Sequence, residues 1–136
     1  MIEVQKVIYS RLTNDSALQT LLGGAGRIFA GFQNVQGVRP SIAFMSWMNP
    51  GSIDADAAKS YITTWQFNIY ANTFQEISRR LLLLLNNQRL PANTETGKIT
   101  MAFESEMPSD FDDELKVSVK AVRYRSFFTP KTAATP

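Results

Sequence analysis

"LLGGAGRIFAGF", residues 21–32, sets Gly23, Gly24 and Gly26 directly behind a leucine pair. A glycine-rich stretch cradles phosphate when a strand leads into it and a helix leaves it, because backbone N–H groups and the positive helix end then converge on the anion. Here the order is reversed. Upstream, Val4, Val7, Ile8 and Leu12 recur at three- and four-residue spacing, and Ala17, Leu18, Leu21 and Leu22 continue the pattern after a Thr13-Asn14-Asp15-Ser16 break. The spacing predicts two helices, with Asn14, Asp15 or Ser16 capping the second. Downstream, Arg27-Ile28-Phe29 predicts a short strand. The glycines therefore read as a helix stop, where positive φ costs little without a Cβ. Neither a Gly-Lys-Ser/Thr ending nor the dinucleotide spacing is present.

The rest of the chain reads as α+β. Pro40 to Trp47 predicts a strand with proline at its edge, closed by turn chemistry at Asn49-Pro50-Gly51. Residues 51–59 lack periodicity and are expected to form a loop. From 61 to 70 the alternation is clear: Tyr61, Thr63, Trp65, Phe67 and Ile69 share one face of a long strand. Thr73, with Glu76 three residues on, predicts a capped helix from about Phe74 to Asn87. Its core stripe is Phe74, Ile77, Leu81, Leu84 and Leu85, and Leu82 and Leu83 fall on either side of it. Either the helix is deeply buried in its own domain, or it packs on a sheet on one side and on a neighbouring chain on the other. Residues 98–105 and 115–124 predict an antiparallel pair, the second with Leu115, Val117, Val119 and Ala121 alternating against Lys116, Ser118 and Lys120. A single domain over residues 1–128 and a flexible, proline-bounded tail over 129–136 are expected.

Composition narrows the chemistry. A chain of 136 residues can bury a working core, and it contains neither cysteine nor histidine. Disulfides, thiolate ligands, the commonest general base and every Ser-His-Asp arrangement are excluded. Carboxylates, lysine and tyrosine remain for catalysis. Fourteen basic and twelve acidic residues leave a net charge of +2, too small for nucleic-acid binding by bulk attraction. The longest apolar run, Leu81 to Leu85, is far short of a membrane span, and a soluble cytoplasmic protein is expected.

Three constellations carry charge. The stretch "ESEMPSDFDDE", residues 104–114, holds Glu104, Glu106, Asp110, Asp112, Asp113 and Glu114, half of the acidic residues. It could ligate a hard cation, but no Asp-x-Asp-x-Asp-Gly framework exists, and the balance favours a solvated loop with no metal. Arg123 and Arg125, with Tyr124 and Phe127-Phe128, could clamp single-stranded nucleic acid, or mark an exposed strand end with an aromatic anchor. Arg79 and Arg80, beside the leucines, suit local or intersubunit ion pairs.

In chain order, "SRLTNDSALQTLLGG" with "GRIF", then "RPSIAF", the strand Tyr61 to Tyr70, the leucine-rich helix and the acidic-looped hairpin resemble the tail-terminator or tail-completion proteins of long-tailed bacteriophages and prophages, over nearly all of residues 2–128. That resemblance implies a fold similar to tail-tube proteins: a mixed, mainly antiparallel sheet flanked by an N-terminal helical segment and the central leucine-rich helix. It also implies a non-enzymatic virion protein without cofactor, forming a ring, typically a hexamer, at the head-proximal end of the tail tube. Such a ring stops tube polymerisation and joins the head connector or head-completion protein, with DNA passing through its lumen and no membrane involved. Assembly would take place in the host cytoplasm. Under this reading Arg79, Arg80, Leu82 and Leu83 are candidate subunit contacts. Asp54 and Asp56 in the 51–59 loop, and Glu106, Asp110, Asp112, Asp113 and Glu114 in the 106–114 loop, are candidate lumen or docking positions. Two rivals remain: a carboxylate hydrolase built on Asp54 and Asp112, and a monomeric nucleic-acid-binding module using Lys116, Lys120, Arg123 and Arg125.

Overall fold

A computed structural model describes residues 2–24, 26–31, 40–52, 61–71, 74–90, 98–112 and 117–129. The helices are α1 (Ile2–Thr13), α2 (Ser16–Leu22) and α3 (Gln75–Leu85). The strands are β1 (Ile28–Ala30), β2 (Ser41–Ser52), β3 (Tyr61–Tyr70), β4 (Gln88–Leu90), β5 (Lys98–Glu106), β6 (Asp110–Asp112) and β7 (Val117–Thr129). They form one mixed sheet in the order β1-β2-β3-β7-β5-β4, and β6 continues the β5 side of β7. Every pairing is antiparallel except β1 on β2. The α+β architecture expected from the sequence is the one found.

The helix stop at the glycines is realised in detail. Asp15 caps α2 by accepting from the Leu18 N–H, and Gly23 closes it at φ 85°, donating to the Gln19 and Thr20 carbonyls. The turn then releases the chain into β1, which lies parallel to the start of β2 with Ile28 opposite Ile42.

Alternation on the sheet separates two faces. Ile42, Phe44, Trp65, Phe67, Ile69, Val122, Tyr124, Phe128, Ile99 and Met101 are buried, together with Val4, Ile8 and Leu12 of α1, Leu18 and Leu22 of α2, and Ile77, Leu81, Leu84 and Leu85 of α3. Burying side chains of this size stabilises by about 1.5–3 kcal/mol each before entropy is counted. An aromatic row crosses four adjacent strands. Phe44 stacks on Phe67 at 5.2 Å, Phe67 meets Tyr124 edge-on at 5.5 Å, and Tyr124 meets Phe103 edge-on at 5.6 Å.

Several expectations are corrected. β2 does not end at Asn49-Pro50-Gly51 but runs to Ser52. Its register on β3 slips between Ser46 and Met48 and between Met48 and Gly51, which lets a strand carry a proline without a broken ladder bond. Only residues 53–59 of the expected loop fall outside the strand, and they lie outside the described residues. α3 starts at Gln75 with Phe74 in the capping position and no side-chain cap bond. Glu76 therefore sits one position too early for a capping box, and Thr73 lies outside the described residues. The helix stops at Leu85, because Asn86 is extended and Asn87 left-handed at φ 54°, and the turn feeds the unforeseen β4.

β7 also differs. It starts at Val117 and runs to Thr129, past the expected end at Tyr124 and into the first residue of the expected tail. Its buried set is even-numbered, Val122, Tyr124, Ser126 and Phe128, whereas Val119 and Ala121 are half-buried on the opposite face. Arg123 and Arg125 thus stand in the middle of a strand flanked by β3 and β5, not at an exposed strand end. Residues 130–136 lie outside the described residues. So does the lone Ala25 of the glycine turn.

Candidate assembly surfaces

The central helix presents the first surface. At about 100° per residue, Leu82 and Leu83 are turned away from the Ile77–Leu81–Leu84–Leu85 stripe on different flanks. They are 40 % and 61 % exposed, which removes deep burial within this chain as their explanation. Arg79 is also exposed. Arg80 turns the other way: its Nε and Nη2 donate to the two Asp15 carboxylate oxygens at 2.7 and 2.5 Å, tying α3 to the start of α2. This bidentate pair holds the Asp15 carboxyl below its usual range, helped by the Leu18 N–H and opposed by partial burial. Arg11 on α1 donates to the Leu84 carbonyl at 3.2 Å, so all three helices meet at this end of α3.

The second surface is the acidic segment after Phe103. It is not one loop. Pro108 has no N–H to continue the ladder, so the strand breaks after Glu106 and resumes as β6, with Asp110 opposite Val119 and Phe111 opposite Ser118. Glu106 and Asp110 are exposed, and Phe103, Met107 and Phe111 are 39 %, 39 % and 53 % exposed among them. Asp112 is the last residue of β6, while Asp113, Glu114, Asp54 and Asp56 lie outside the described residues. Among the described residues no group of three or more acidic side chains is placed to hold a metal ion. The hydrolase pairing of Asp54 with Asp112 likewise involves a position outside them.

Two hydrogen bonds close the backbone along this outer edge. The Phe103 N–H donates to Asn86 Oδ1 at 2.8 Å, and the Phe111 N–H donates to Asp110 Oδ1 at 2.8 Å. The sequence does not display this pairing, because Asn86 reads as part of a helix expected to run to Asn87. An Asn directly after a helix and an Asp beside a Pro-Ser pair were the available signals.

The basic cluster is spent internally. Arg125 pairs with Glu104 at 2.6 Å, Arg123 Nε donates to Gln66 at 3.1 Å, and Lys120 lies 3.7 Å from Glu106, over the Phe74 ring, donating to the Met107 carbonyl. Lys116 lies outside the described residues. Among the described residues, a shallow groove of about 300 Å³ beside α1 is lined by Gln5, Lys6, Tyr9 and Ala30, which offer no nucleophile–base pair. No described helix is long and apolar enough to cross a membrane.

No family model and no curated protein matches the sequence. The fold does match solved structures. A chain from the virion of a native gene transfer agent particle superposes with a TM-score of 0.73 at 10 % identity, covering 93 % of this chain and 95 % of that one. A second solved chain matches with a TM-score of 0.62 at 11 % identity, covering 94 % of each. At these identities the likeness is one of fold, and the fold is shared end to end with a component of a virion particle.

Proposed function

We propose that this protein is a virion structural protein of the tail-terminator or tail-completion type. It would form a ring at the head-proximal end of a phage tail tube, end tube polymerisation and present the surface that joins the head. The observation that carries this reading is the nearly complete overlap with a chain of a gene transfer agent virion. The sequence resemblance to tail-terminator proteins supports the finer assignment. Exposed Leu83, with Arg79 one turn before it, suits contact with a neighbouring subunit, since an isolated chain gains nothing by exposing it. Arg80 supports that surface indirectly, by fixing α3 against α2.

The tube protein and the head connector are the proposed partners, with Asp54, Asp56 and the 106–114 segment at the docking ends. DNA would pass through without specific binding. Arg123 and Arg125 are engaged by Gln66 and Glu104, and Lys120 by the Met107 carbonyl and the Phe74 ring, which weighs against the nucleic-acid module. Light scattering across a concentration series, alone and with purified tail tubes, tests the proposal. A ring mass, or a monomer that assembles on tubes and halts their growth, supports it; a monomer indifferent to tubes overturns it.

A further inference from the structure

We propose that the strip formed by Phe103, Glu106 and Phe111, with Leu82 on the adjoining helix, docks a cationic amphipathic helix of a partner protein. This deepens the docking role given above to the 106–114 segment, but it does not depend on a ring.

Register places the strip. Phe103, Glu106 and Phe111 stand opposite Tyr124, Val122 and Ser118, so all three are on the helix-bearing face at the β5–β6 edge. Phe103 ends the aromatic row and reaches Asn86 through its N–H; Leu82 is one turn before Asn86, whose own N–H donates to the Leu82 carbonyl. Two large apolar side chains therefore flank one corner, and Phe111 closes the other end. From Tyr124 to Ser118 the strip spans roughly 20 Å at about 3.4 Å per residue, close to four helical turns.

The chemistry of the occupant follows from two features. Residues 103–112 contain Glu104, Glu106, Asp110 and Asp112 and no lysine or arginine. Glu104 is held by Arg125, but Glu106 meets Lys120 only at 3.7 Å and its side chain is 54 % exposed, so a carboxylate stands available between two exposed aromatic rings. That pattern complements a helix with an apolar stripe and flanking Lys or Arg. A partner strand is disfavoured, because the Phe103 and Phe111 N–H groups are occupied by Asn86 and Asp110, and Pro108 offers none.

Three labelled synthetic peptides of about 15 residues test this by fluorescence anisotropy with the full chain: a Leu/Lys amphipathic helix, a Leu/Glu helix of the same pattern, and a Lys/Ser peptide of the same charge. The Leu/Lys peptide is expected to bind in preference to both others, with Phe111→Ser weakening it about tenfold and Glu106→Gln reducing its salt dependence. Unchanged thermal melts of these exposed-site variants exclude unfolding. Equal binding of any two peptides, no binding, or indifference to Phe111→Ser overturns the proposal. Phe111→Ser abolishing self-association while peptide binding is absent would make the strip a contact between copies and overturn it too. The native mass of the same variants reports on the ring separately.

Discussion

Asp15 and Arg80 are 65 residues apart in sequence and joined by two hydrogen bonds, while the same Asp15 carboxylate caps α2 through the Leu18 N–H at 2.9 Å. One side chain thus starts a helix and fixes it to another. Asp15→Ala removes both roles, and the lost cap alone is expected to cost about 1 kcal/mol, read as a lower urea midpoint at unchanged m-value.

The same pair predicts a pH dependence. Arg80 holds the folded-state pKa of Asp15 below its reference value of 3.8, so the unfolded chain takes up the proton first as pH falls. The contribution of Asp15 is therefore complete well above 3.8 and disappears as pH drops through the lower folded value. Urea midpoints of wild type and Asp15→Asn, measured from pH 7 to pH 2.5, are expected to converge at the acid end; a constant gap would contradict the linkage.

Burial acts on Tyr124 in the opposite direction of pH. Its hydroxyl is enclosed, with the Glu106 charge a smaller influence, and its pKa is raised well above the usual 10.0. The folded state keeps this proton where the unfolded state loses it, so stability is expected to fall as pH rises above 10.0. Ultraviolet titration of wild type against Tyr124→Phe is expected to show one phenol that ionises only with unfolding.

Core and surface leucines of α3 should separate cleanly. Leu81 is fully buried, and Leu81→Ala is expected to cost about 2–5 kcal/mol. Leu83→Lys, at an exposed position, is expected to change stability by less than about 0.5 kcal/mol yet to lower the native mass if Leu83 meets a neighbour. Denaturation and light scattering on the same samples distinguish the two effects.

Trp65 Nε1 donates to Ser126 Oγ at 2.9 Å inside the core. Ser126→Ala leaves that N–H unpaired, and a loss of about 1–3 kcal/mol is expected in chemical denaturation. Ser126→Thr, which retains the hydroxyl, isolates the effect of the extra methyl.

Legibility in the sequence followed the physics of each segment. β3 was plain because it is half-buried along its length, so Thr63, Trp65, Phe67 and Ile69 alternate cleanly. The α3 stripe and the Gly23 stop were equally plain, being set by local spacing and local φ. β7 misled because a central strand is shared between two faces: Ala121 and Val119 look inward-facing by hydropathy, and only the partners β3 and β5 determine that Val122, Tyr124 and Ser126 are buried. β4 and β6 are three residues each and have no periodicity to read. At the candidate surfaces, the exposure of Leu82 and Leu83 required the three-dimensional packing, and so did the Asn86–Phe103 bond between residues 17 apart.

The position of β7 in the sheet bears on when the molecule can fold. It is the last of the described elements in chain order, yet it separates β3 from β5, so on the ribosome neither half of the sheet can join the other until residues 117–129 have emerged. Until then β3 has only β2 to pair with, and the rings of Trp65 and Phe67 lack the Tyr124 and Val122 that cover them. From the emergence of β3 to that of β7 the nascent chain therefore carries an open, aromatic-rich strand edge, and loss of β7 would divide the sheet rather than shorten it.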